Sequence, residues 1–187
     1  MAAPVRISEE AIRAAALRLV REQGPQALNA RALAAALGCS TQPIFKNFPS
    51  MDALRRVVLE EALARYHRFV EEAVAASSAP PYKARGLAYI GFARAEPTLF
   101  RLLFMRSRVG ETDSPEDPDW SLDTARAGAS TGLAGQEAER FHLEMWALVH
   151  GIAVMQATGY LDLDEATVSR MLSDAYRGIK EKWEAAT

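Results

Sequence analysis

One stretch constrains the fold of this 187-residue chain more than any other. It runs from Asn29 to Phe48, NARALAAALGCSTQPIFKNF, and there a glycine and then a proline punctuate two short apolar-periodic segments. Asn29 suits a helix N-cap, and Leu33, Ala34 and Leu37 follow at spacings that share one helical face. Gly38 sits one residue past the last periodic position, where a left-handed conformation ends a helix and turns the chain. Ser40 or Thr41 is expected to cap the next helix. Pro43 fits only near a helix start, where its missing N–H costs nothing, so a second helix should run roughly Gln42 to Asn47. Ile44 and Phe48 then face inward, and Gln42, Lys46 and Asn47 outward. The pattern is that of a helix-turn-helix, and its outward side chains are those a DNA major groove needs: an amide to pair bidentately with adenine, a cation for guanine or phosphate, and a second amide. A plain helical hairpin with a polar second arm is the competing reading.

The flanks agree. Ser8 opens a first helix with Glu9 and Glu10 in its first turn, and Ile12, Ala16, Leu19 and Val20 recur on one face until Gly24-Pro25. Hydrophobic residues make up 49% of the chain, enough for a sizeable core. No apolar run approaches the ~20 residues of a membrane span, and MAAPVRISEE lacks the apolar core of a secretory signal, so the expectation is a cytoplasmic protein without a membrane partner. The single cysteine, Cys39, excludes an internal disulfide framework and a multi-cysteine zinc site, and is expected to be a small buried residue at the turn. Net charge is −2, but residues Met1 to Glu60 hold 8 basic against 5 acidic side chains, leaving 14 against 19 for the rest. A basic head on an acidic body suits a DNA-binding end joined to a part with another task.

RALAAALGCSTQPIFKNF, followed by Met51, Asp52, Ala53 and Leu54 and preceded by IRAAALRLVREQGPQALNARALA, resembles the DNA-binding domain of TetR/AcrR-family transcriptional regulators over about the first third of the chain. The resemblance implies an all-α protein with a three-helix DNA-binding head at 1–50 and a helical effector-binding and dimerisation domain at 51–187, the helix 51–76 spanning both. It implies a ligand-responsive repressor that binds a palindromic double-stranded DNA operator as a homodimer. Arg31, Ser40, Thr41, Gln42, Phe45, Lys46 and Asn47 are the expected DNA-facing residues. Two positions depart from the family: Phe45 replaces a tyrosine whose hydroxyl touches a phosphate, and Met51 replaces a frequent lysine. Both remove polar groups from the phosphate interface, which positions a protein without carrying sequence information.

Beyond the Pro49-Ser50 turn, a helix over about Met51 to Ala76 carries Leu54, Val57, Val58, Leu63, Tyr66, Phe69 and Val70, and would be the only continuous connection from head to body. SSAPP at 77–81 is a strong break. YIGFARAEPTLFRLLFM, taken with WALVHG at Trp146 to Gly151, is similar to the WHG-type effector domain of one TetR branch. The acidic, proline-containing segment between Arg108 and Arg126 is expected to be a surface loop, with helix resuming near Asp119. A helix from about Gln136 to Thr158 is apolar on more than one face, and a last helix starts near Asp164. In the family these last two helices pair with their symmetry mates, which makes Met145, Val154, Met171 and Tyr176 the candidate dimer contacts.

Tyr89, Phe92, Phe104, Met105 and Trp146 are candidates to line a pocket for a small apolar or amphipathic effector, with ordinary core packing as the alternative. The resemblance places His150 beside that region. His67, His142 and His150 come with no His-Glu-x-x-His spacing, cysteine cluster or nucleophile motif, so neither a metal site, a cofactor nor catalysis is expected. Two rival readings are a helical enzyme using His150 as base, and a ligand-binding regulator that has lost DNA binding.

Overall fold

The computed structural model describes residues 7–105 and 118–184, and these form nine α-helices and one 3-10 turn without a strand. They divide into two compact units. The first takes the described residues up to His67 together with Thr98–Met105, and the second takes Arg68–Pro97 and the described residues from Pro118 onward.

In the first unit, α1 (Glu9–Gln23) opens at Ser8, whose hydroxyl accepts the N–H of Ala11 at 3.2 Å, and closes at Gly24. A 3-10 turn at Pro25–Ala27 leads to Asn29, whose side chain accepts the N–H of Ala32 at 3.0 Å and so caps α2 (Ala30–Leu37). Gly38 takes φ 64° and ψ 33°, a left-handed conformation that any side chain would strain. The N–H groups of Gly38 and Cys39 bond back to the carbonyls of Ala35 and Ala34, satisfying the helix end. After the turn comes α3 (Gln42–Asn47), and Ser50 then caps α4 (Met51–Ala76) by accepting the N–H of Ala53 at 3.1 Å. Ile12, Leu33, Ile44 and Leu54 are fully buried, one or more from each of α1 to α4. Arg13 on α1 pairs with Glu61 on α4 at 2.6 Å. Cys39 is half-buried at the turn, less covered than its expected core role required.

The two compact units do not follow the expected head and body boundaries. From Thr98, α6 (Pro97–Phe104) belongs to the first unit, so the chain passes between units at 67/68, at 97/98 and again after Met105. The physical reason lies in the apolar residues of α6: Leu99, Phe100 and Leu103 are buried, and Phe104 meets Tyr66 of α4 edge-on at 5.0 Å.

The second unit is built on α5 (Pro81–Ala95) packed along α8 (Gly135–Ala157), with α7 (Pro118–Thr131) and α9 (Glu165–Glu184) against both. Phe92, Phe141 and Ile152 are fully buried here. The carboxylate of Asp164 accepts the N–H of Thr167 at 2.7 Å, which caps α9 and holds its pKa below the usual carboxylate value. Helix resumes at Pro118, one residue before the expected Asp119, while the earlier part of the expected surface loop lies outside the described residues. The acidic residues of this segment have a half-buried partner: Arg85 of α5 meets Asp119 at 2.8 Å and Asp123 at 3.1 Å. The α7–α8 turn is tight, and a Cβ on Gly128 would lie 2.8 Å from the carbonyl oxygen of Leu133. Among the described residues no helix is long and apolar enough to cross a membrane.

Candidate functional site

The DNA-reading candidates all belong to the first unit. Ile44 and Phe48 bury one side of α3, which leaves Gln42, Phe45, Lys46 and Asn47 exposed on the other, with Arg31 and Ser40 exposed nearby in sequence and Thr41 half-covered. Two details depart from expectation. Thr41 makes no side-chain cap, because its backbone is already helical at φ −73° and ψ −15°, whereas a capping hydroxyl needs an extended backbone. Asn47 turns its amide onto its own helix and donates to the carbonyl of Pro43 at 2.7 Å. One of its side-chain N–H groups is thus engaged along the helix, although the residue itself stays exposed. Phe45 is 47% exposed, a large ring held at the surface beside Gln42.

The effector candidates are divided between the two units. Tyr89, Trp146 and His150 come together in the second unit: the Tyr89 hydroxyl lies 2.9 Å from His150 Nδ1, and the Trp146 ring stacks on His150 at 4.8 Å and 11°. Burial holds the His150 pKa below its ordinary value. Phe92 lies in the same unit against Phe69, edge-on at 5.5 Å. Phe104 and Met105 belong to the first unit.

Sequence reasoning misses half of this array. Trp120 of α7 meets Trp146 edge-on at 6.0 Å and the His142 ring at 4.6 Å. His142 in turn lies 2.9 Å from the Tyr82 hydroxyl, so α5 and α8 carry two tyrosine–imidazole pairs bridged by two indoles. Burial, then the charge of Asp123, push the Tyr82 phenol well above its usual range and keep it protonated. One signal is present in the sequence: Tyr82 and Tyr89 are seven apart on α5, and His142 and His150 eight apart on α8, the repeats that put each pair on one face. The array can hydrogen-bond and stack, but the described residues bring no group of three metal-ligating side chains together.

A groove of about 330 Å³ lies between the end of α4, α5 and the start of α9, lined by Phe69, Leu87, Ile90 and Val168 with Arg94 and Glu165. The effector candidates do not line it. Arg94 is held there by Gln156 Oε1 at 2.9 Å and by the carbonyl of Leu163.

Of the dimer candidates, Met145 is only 5% exposed and packs with Ala127 and Phe141, so its side chain serves the core of its own protomer. Tyr176 is partly buried against the same cluster and donates to the carbonyl of Ser130 at 2.8 Å. Val154 and Met171 are half-buried. Leu143, which was not among the candidates, is 50% exposed on α8.

Comparison with known proteins matches two stretches of the chain. Residues 12–58 match the model of the bacterial regulatory proteins of the tetR family, and residues 82–176 match the tetracyclin repressor-like C-terminal domain. The chain is 28% identical over 173 residues to an uncharacterised helix-turn-helix-type transcriptional regulator of Mycobacterium tuberculosis, covering 87% of this chain and 76% of that protein. A Rhodococcus sp. RHA1 protein of unknown function superposes with a TM-score of 0.69 at 25% identity, covering 95% of this chain and 96% of its own. A TetR-like transcriptional regulator of the same organism superposes at 0.67 with 18% identity, over 95% and 98% of the two chains. A third structure, described as the multidrug binding protein EbrR complexed with imidazole, gives 0.57 at 18% identity over 92% and 93%.

Proposed function

We propose that this chain, which belongs to the TetR family of transcriptional regulators, represses transcription as a homodimer on a palindromic DNA operator and leaves it when a small molecule binds the C-terminal unit. The observation that carries the DNA half is the outward face of α3: Gln42 and Lys46 stand exposed behind a left-handed turn, on a helix whose other side is held by Ile44 and Phe48. One such helix reads only a few base pairs, and a second copy related by two-fold symmetry doubles the contact and requires half-sites spaced by about one helical turn.

The effector half rests on the array of Tyr82, Tyr89, Trp120, His142, Trp146 and His150. Its hydroxyl–imidazole pairs and stacked rings present the mixture of apolar surface and placed polar atoms that suits a planar amphipathic molecule. A ligand releases DNA only by favouring a conformation that the operator-bound dimer does not adopt.

Selection from a random pool of duplexes, followed by footprinting, tests the reading. Two protected half-sites in inverted repeat are expected, and a tight complex of one protomer with one isolated half-site would overturn it. For the effector, Trp120 and Trp146 are built-in reporters: a binding molecule should quench their fluorescence and weaken operator binding together.

A further inference from the structure

We infer that Phe45 is a specificity-determining residue that reads the methyl group of a thymine in the operator, a reading that rests on α3 entering the DNA major groove. The phenyl ring is left 47% exposed at the protomer surface, and α3 holds it at i+3 from Gln42, so the two side chains are neighbours on the same outward side. Its ring has neither donor nor acceptor. Of all the groups that base pairs display in the major groove, only the thymine C5-methyl is apolar; the rest are hydrogen-bond donors and acceptors. The geometry supplies the pairing as well. An amide that reads adenine N6 and N7 from position 42 sits over an A·T pair, and the methyl of that pair, or of the next, lies alongside on the same groove edge. Lys46 stands exposed on the following position, so the ring is flanked by an amide on one side and a cation on the other. A polar ring at position 45 would be drawn to phosphate, whereas phenylalanine gains only by leaving water against carbon.

The experiment uses the full chain and a synthetic duplex carrying the sequence it selects from a random pool. Each thymine of a half-site is replaced in turn, and symmetrically in both half-sites, by deoxyuridine, which removes only the methyl. Wild-type protein should lose about four-fold in affinity per half-site at one position, the value of one methyl taken from water, and lose nothing at the others. Phe45→Ala, a change at an exposed site that should leave the helical circular dichroism intact, should bind more weakly and show equal affinity for thymine and deoxyuridine at that position. A wild-type protein indifferent to every methyl while still footprinting its site would overturn the inference and leave DNA binding standing. So would a Phe45→Ala variant that keeps the methyl penalty, which would place the ring against sugar. If the wild-type protein selects no sequence at all, the DNA-binding reading fails and the inference fails with it.

Discussion

At the scale of single residues, readout and anchoring are carried by different side chains. Gln42→Ala should relax preference at one base position by about 1–3 kcal/mol, while Lys46→Ala and Arg31→Ala should weaken binding across sequences and lower the salt slope by roughly one charge each. Isotherms on matched and mismatched duplexes at several salt concentrations separate the two, and an unchanged preference in Gln42→Ala would take α3 out of the groove. His150 carries a second expectation. Burial lowers its pKa in the folded protein, so the unfolded chain, with the ordinary value near 6.5, binds the proton more readily. Stability should therefore hold above about pH 7, fall as pH drops through about 6.5, and stop falling from this cause below the folded pKa. Denaturant midpoints against pH should show a shallower acid slope in His150→Gln, and identical slopes would remove His150 as the source. At this scale the sequence was legible where periodicity decides: Ile44 and Phe48 inward, Gln42 and Lys46 outward. It was silent on Asn47, whose amide bonds to a carbonyl four residues back, because rotamer choice at a helix end leaves no trace in spacing.

At the scale of elements, α7 owes its place to Arg85. The guanidinium loses hydration on burial, yet Asp123 and Asp119 outweigh that and raise its pKa further, so the group stays charged between two carboxylates. Arg85→Ala would take the shared guanidinium from Asp119 and Asp123, leaving Asp123 its ion pair with Arg126 at 2.7 Å. Urea denaturation should show a loss of about 2–3 kcal/mol, below the ~3–5 of a fully buried pair because these side chains keep some access to water. A loss under ~0.5 kcal/mol would show that Trp120 and Ala127 alone seat the helix. The sequence placed the return of helix near Asp119 but was silent on what holds it: a half-buried arginine 34 to 38 positions earlier in the chain takes Asp119 and Asp123 as its partners.

At the scale of the whole molecule, α8 has an unfinished side. Leu143 and Ala147 are exposed, Val154 is half-buried, and a Cβ on Gly151 would meet nothing within 4 Å, which leaves room for another helix to approach. Gly178 on α9 is open in the same way. If these surfaces pair with a second copy, Val154→Glu and Met171→Glu should sediment as folded monomers and lose operator binding, since a half-site alone supplies too few contacts. Met145→Glu should instead destabilise the protomer, because Met145 is packed with Ala127 and Phe141. A dimer that survives both glutamates would move the interface elsewhere. Ligand release adds a thermodynamic check: whatever factor an effector takes from operator affinity, the operator must take from effector affinity, typically ~1–3 kcal/mol of coupling. Equal effector affinity for free and DNA-bound protein would exclude ligand-driven release.

Local chemistry was sufficient for the helix-turn-helix: Asn29, Gly38 and Pro43 cap, turn and start their helices through atoms within four residues of themselves, so the sequence by itself determined both the boundaries of α2 and α3 and the side of α3 that faces outward. The same holds for the breaks at Gly24 and 77–80, where Pro25, and then Pro80 with Pro81, lack the N–H that a continuing helix needs. The tertiary structure alone decided the pairings across many residues. Tyr82 finds His142, Tyr89 finds His150, and α6 joins the first unit although its neighbours in sequence lie in the second. Helical periodicity states that a face is apolar and is silent on which face meets it. That choice is made by packing, where one indole at Trp120 bridges residues of α8 and an arginine from α5 holds its helix in place.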